Sequence, residues 1–116
     1  GGRNIFAAGD IAHAMTDPTS GNHPALMSCQ HAMPMGKYAG HNAAALLLGQ
    51  MTWPYEQARY VTCLDLGPWG AVFTTGWERQ VELTGAEAKA RKQFIMNEVI
   101  YPPSNDRDAI LEAGGI

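Results

Sequence analysis

The sequence predicts an α+β fold in two parts: a buried strand and a long helix, followed by a β-hairpin or three-stranded sheet with helices packed against it. Three observations carry this. Residues 4–8 form a short apolar run that ends at Gly9-Asp10, the pattern of a buried parallel strand with a turn at its carboxyl end. Helical patterning holds from Ser28 to about Leu48. Two runs rich in β-branched and aromatic residues, 60–66 and 71–77, flank the turn Gly67-Pro68-Trp69-Gly70.

The elements follow in order along the chain. A Gly- and Pro-containing loop spans residues 16–24, with Asp17-Pro18 and Ser20-Gly21-Asn22 as its turn signals. Ser28 is placed to cap the long helix, whose positions Cys29, Ala32, Met35, Ala39, Asn42, Ala43 and Leu46 fall near one face. Pro34 lies within its first two turns, Gly36 and Gly40 allow close packing against it, and Gly49 marks its end. Composition changes over residues 51–60, where Trp53-Pro54-Tyr55 reads as a linker into a second unit of residues 51–116. The hairpin is followed by a possible third strand at 81–83. Next comes the capping box Thr84-Gly85-Ala86-Glu87, which opens a helix running to about Val99 and stopped by Pro102-Pro103. Ser104 or Asn105 is expected to cap a last short helix over 106–113.

Composition excludes several classes of function. With 46% hydrophobic and 16% charged residues the chain is globular, and a net charge of -3 with only 8 Lys and Arg argues against a nucleic-acid partner. The longest apolar run, residues 43–48, falls far short of the ~20 residues that span a bilayer. A cytoplasmic location is expected, at most peripheral to the inner face of the membrane. An opening on Gly1-Gly2 without Met is what an internal cut would leave. Cys29 and Cys63 have neither metal nor redox-motif spacing; they read as two buried hydrophobes in a reducing compartment, with a disulfide as the alternative. His13, His23, His31 and His41 are spaced 8 to 10 apart, too far for a zinc site, so no metal is expected. Met27, Met33 and Met35 read as adaptable packing.

Residues 5–12, Ile-Phe-Ala-Ala-Gly-Asp-Ile-Ala, carry the most chemical information. A strand ending in Gly-Asp puts a carboxylate at the carboxyl edge of a sheet, where open α/β folds bind ligands. Gly9 can approach a ligand closely, and Asp10 can accept hydrogen bonds from sugar-like hydroxyls. The string resembles the second FAD-binding motif of the two-dinucleotide-domain flavoproteins. That resemblance implies main chain near Gly9 against the pyrophosphate and Asp10 on a ribitol hydroxyl of FAD. Downstream, Cys29-Gln30-His31-Ala32-Met33-Pro34-Met35-Gly36-Lys37-Tyr38 is similar to the stretch of type II NADH dehydrogenases that begins the helix covering the isoalloxazine ring. By that likeness the backbone at Gln30, His31 and Ala32 supplies amides to the flavin, which a helix N-terminus stabilises when the ring is anionic. His31 could tune a proton transfer to the ring.

The likeness is strong over residues 4–48 and looser beyond, where Leu66-Gly67 to Ala71-Val72 resembles the hairpin of the family's C-terminal domain. Pro34 and Met35 stand where the type II enzymes carry a Gln pair associated with quinone, and neither can donate to a quinone carbonyl. The resemblance implies that residues 1–50 are the last strand and helix of a Rossmann-like FAD domain and 51–116 a C-terminal interface domain. The activity implied is oxidation of NAD(P)H through FAD, with the acceptor unidentified. The chain has no Gly-x-Gly-x-x-Gly fingerprint, so it should be inactive without the remaining FAD and NADH domains. It is expected to form a homo-oligomer through residues 4–50. The rival readings are a non-catalytic dimerisation or interaction module and a free-standing small-ligand domain.

Overall fold

A computed structural model describes residues 4–17 and 23–115. The turn signals at Pro18 and Ser20-Gly21-Asn22 lie outside these described residues. Contacts divide the chain into Gly1–Ala58 with Asp106–Ile116, and Arg59–Asn105, so the division falls after Ala58 and not at the composition change near Met51. The architecture is α+β, with one three-stranded antiparallel sheet.

In the first unit the helix α1 (Cys29–Leu47) is the main element. Residues 4–8 form no strand, and Ile5 is 89% exposed. The expectation of a buried parallel strand there is corrected: such a strand needs ladder partners and cover on both faces, and the described residues provide neither. Ser28 takes the cap position with extended backbone, but its hydroxyl makes no capping bond. Pro34 sits inside the helix, whose C-cap is Leu48, followed by Gly49 at φ +68°.

The buried residues of α1 are His31, Met35 and Ala45, while Cys29 and Leu46 are exposed, so the buried face is rotated from the one the apolar pattern suggests. The reason is the segment after the helix. Far from being a free linker, its alternate residues run back along α1: Trp53 exchanges two hydrogen bonds with the Asn42 side chain (2.7 and 2.8 Å), and its ring lies 4.4 Å from that of His41, tilted by 38°. Tyr55 meets Tyr38 edge-on at 5.5 Å, and Gln57 reaches Gln30 and His31. A Cβ placed on Gly36 or Gly40 would meet no atom beyond its own helix within 4 Å among the described residues, so neither glycine serves a close approach there. A short helix, α3 (Arg107–Gly114), also belongs to this unit, and Lys37 donates to the Gly115 carbonyl at 3.0 Å. Its cap is Asp106, whose carboxylate accepts from the amides of Asp108 and Ala109, and not Ser104 or Asn105.

The second unit holds the sheet, β1 (Val61–Asp65), β2 (Ala71–Thr75) and β3 (Gln80–Thr84), in the order β1-β2-β3, with a register shift at Phe73/Thr74. Asp65 accepts from the Gly67 amide (2.7 Å) and pairs with Lys89 (2.7 Å), which ties the end of β1 to the helix α2 (Gly85–Phe94). Lys89 and Gly67 together hold the Asp65 carboxyl below its ordinary range. One sheet face packs on α2 through Ala71, Phe73 and Ala88, with Val61, Cys63, Leu83 and Ile95 around them. Thr84 takes the cap position of α2 without a side-chain capping bond, so the expected capping box is present in place but not in bonding. The helix continues as a wider turn, Ile95–Val99, and ends ahead of Pro102 as the prolines require. Cys63 is half-buried, Cys29 is exposed, and both are free thiols, which corrects the pair of buried hydrophobes and leaves no disulfide.

Candidate functional site

The Gly9-Asp10 turn is where the chain turns back toward α1. Gly9 has φ +80°, a conformation side chains disfavour, and its carbonyl accepts from the Ala12 amide at 2.9 Å. A Cβ built on Gly9 would stand 4.0 Å from the Ala32 Cβ, so the turn lies on the first turn of the helix. Residues 14–16 and 23–25 then clip together: Met15 bridges Pro24, Ala25 donates to Ala14 (2.8 Å), and Thr16, itself buried, donates twice to the His23 carbonyl (both 2.9 Å). That clip carries Ala25, Leu26 and Met27 to the far wall of a cleft of about 190 Å³ whose near wall is Gly9, the exposed Asp10 and Ile11, with Met35 also lining it. Met35 also lines a second cleft of about 400 Å³, shared with Phe6, Tyr38 and Tyr55.

The other predicted residues gather around Gln57. The amides of His31 and Ala32 both donate to the Ser28 carbonyl (3.1 and 2.9 Å). The expectation that they stand open to a ligand is therefore corrected: they are spent on the helix's own first bonds, and an anion at this end would lie toward Ser28 and Cys29. The Gln30 carbonyl accepts from Gln57 Nε2 at 2.9 Å. Gln57 Oε1 accepts from the Tyr55 hydroxyl at 2.6 Å and lies 3.2 Å from His31 Nδ1. Sequence reasoning missed Tyr55 and Gln57, because no motif joins them to α1; the one available signal was the alternation of large polar-tipped side chains at 53, 55 and 57.

The His31 side chain is only 1% exposed. Burial, partly offset by the hydrogen bond to Gln57, pushes its pKa below the ordinary value. Burial, and after it the neighbouring Tyr38, pushes that of Tyr55 up. Both groups are therefore neutral at pH 7. Lowering of the folded-state pKa means the unfolded chain binds more protons as pH falls below about 6.5. Stability from His31 is thus complete above that pH and declines below it. Urea unfolding at pH 7.5 and 5.5 should show this decline, and His31→Gln should flatten it; an equal slope in both proteins would remove His31 as its source.

Among the described residues no group of His, Cys, Asp or Glu is arranged to hold a metal ion, and no helix is long and apolar enough to cross a membrane. No family model matches the chain. It is 50% identical over 109 residues to the NADH dehydrogenase-like proteins of Mycobacterium tuberculosis strains CDC 1551 and H37Rv, an alignment covering 94% of this chain and 26% of each relative. The chain therefore spans about a quarter of the length of these relatives.

Proposed function

We propose that this chain is the C-terminal part of a flavoprotein oxidoreductase that passes electrons from NADH or NADPH through FAD to an acceptor. The observation that carries the reading is the Gly9-Asp10 turn set against the first turn of α1, with a bare Gly9 Cα facing Ala32. The two stretches that resemble the flavoprotein motifs are thus neighbours in space as well as in sequence order. The names of the relatives support the pyridine-nucleotide side of the reaction.

The residues present fit part of an FAD. Gly9 leaves the space a Cβ would fill, Asp10 offers a carboxylate to a hydroxyl, and the Ser28 hydroxyl is buried with no hydrogen bond among the described residues. The apolar wall of Ala25, Leu26, Met27 and Met35 suits a ring edge. When bound, FAD would supply the hydride and electron chemistry, and this chain's residues would bind and orient it. A cleft of about 190 Å³ is smaller than the roughly 300–1,000 Å³ of ordinary ligand sites, so most of the flavin's enclosure belongs to the remaining FAD domain of the parent, and the chain alone is inactive.

The test is direct. The full-length parent should purify yellow, and Asp10→Ala should weaken FAD retention about tenfold or more by removing a charge-assisted hydrogen bond. Equilibrium dialysis against FAD measures this, and unchanged affinity would sink the assignment of Asp10. Gly9 and Asp10 would hold the pyrophosphate-to-ribitol stretch, while Gln30, His31 and Ala32 would form the helix end near the ring.

A further inference from the structure

This inference rests on the flavin reading for its functional meaning, and on geometry alone for its content. In an α-helix the carbonyl of Gln30 would receive the amide of residue 34, but that residue is Pro34 and has no N–H to give. Gln57 Nε2 donates to that carbonyl in its place, at 2.9 Å. A carbonyl only accepts, so the Gln57 amide must face it with nitrogen, and Oε1 is turned the other way. There Oε1 accepts from the Tyr55 hydroxyl (2.6 Å) and stands 3.2 Å from His31 Nδ1. An amide oxygen can meet a ring nitrogen only through a ring N–H, which puts the His31 proton on Nδ1 and the lone pair of the neutral ring on Nε2.

We propose that Gln57 is a positioning residue: its one side-chain amide replaces the helix bond that Pro34 deletes and sets the tautomer and ring plane of His31, one residue from the Ala32–Gly9 contact. The role belongs to a residue outside every motif, and it exists because of the proline. Two halves of the amide do two separable jobs. Gln57→Leu removes both, whereas Gln57→Glu keeps an acceptor for Tyr55 and His31 and deletes the donor to Gln30.

The experiment uses the full-length parent, with histidine labelled by nitrogen-15 and the His31 signals assigned by their loss in His31→Gln. At pH 8, the wild type and Gln57→Glu should show His31 protonated on Nδ1, and Gln57→Leu should shift toward the other tautomer. In urea unfolding, Gln57→Leu should raise the unfolding constant about tenfold or more, the effect of losing the bond to Gln30 together with those to Tyr55 and His31. Pro34→Ala restores an amide at that position, so the same substitution made in the Pro34→Ala background should have a clearly smaller effect. Unchanged His31 shifts in Gln57→Leu would overturn the proposal, as would an equal loss of stability in both backgrounds. If Gln57→Leu alone fails to fold, recovery of the fold by adding Pro34→Ala supports the proposal, and failure to recover overturns it. None of these readouts needs flavin, so a colourless protein that passes them removes the flavin reading and leaves the role of Gln57 standing, and a yellow protein that fails them does the reverse.

Discussion

Gly70→Ala should destabilise the second unit by about 3–5 kcal/mol, combining the strain of a backbone conformation reserved for glycine with an overlap that cannot relax. Gly70 has φ +100°, and a Cβ there would lie 2.6 Å from the Gly85 Cα and nearer still to its carbonyl group. The contact is backbone on backbone, where the β2 end at Ala71 bridges Gly85 at the start of α2, so no rotamer change offers relief. A loss that large takes most of the stability of a small domain. Thermal unfolding by circular dichroism measures it, with Gly36→Ala as the control, since a Cβ at Gly36 would meet no atom beyond its own helix within 4 Å among the described residues and a helical glycine replaced by alanine should gain about 0.5–1 kcal/mol. A Gly70→Ala protein that melts within a degree or two of the wild type would mean the two backbones do not cross this closely.

The second large effect expected is on association. The 1–116 chain should be a dimer or larger in solution, and a chain beginning at Met51 should be mainly monomeric. Ile11 is 90% exposed, Leu47 89% and Met27 80%, all within the stretch 4–50. Among the described residues of that stretch the buried apolar side chains are only Met35 and Ala45. A soluble protein does not normally leave so much apolar surface in water, and a second copy is the occupant always at hand. Residues 4–8 form no edge strand, so it is these exposed side chains that a second copy would cover. Light scattering after size exclusion decides it. A compact monomer for 1–116, or equal association of the shorter chain, would refute it.

What the sequence revealed was what local chemistry controls. The turn Gly67-Pro68-Trp69-Gly70 and the flanking β-branched runs specify the hairpin by themselves, and Pro102-Pro103 stops the preceding helical run whatever its surroundings. Where several residues offered the same chemistry, as Ser104, Asn105 and Asp106 do, pattern could not choose; Asn105 takes φ +61° and leaves the carboxylate of Asp106 to meet the amides. Tertiary partners were the illegible part. The strand expected at 4–8 depends on neighbours that the described chain does not contain. The buried face of α1 was misjudged because its cover comes from Trp53, Tyr55 and Gln57, side chains too polar at their tips to count in an apolar pattern. The candidate site divided along the same line: Gly9 lies against Ala32 in the first turn of α1, an adjacency no local pattern foretold, while His31 is governed by a partner 26 positions away.

The bond between Gln57 and Gln30 spans 27 positions, and this gives α1 a history as well as a shape. Helix bonds ordinarily close within one turn and form in well under a microsecond, so a helix can exist before anything packs on it. Here the Gln30 carbonyl cannot be satisfied that way, because the donor that replaces the Pro34 amide arrives only after the chain has reversed direction and closed a long loop. The later part of α1, from Met35 onward, should form first and the end at Cys29 last, once residues 53–57 have docked. Amides at that end of the helix should then exchange with solvent at the rate at which the docked segment lifts away, making it the part of α1 whose order is set by a distant stretch of chain.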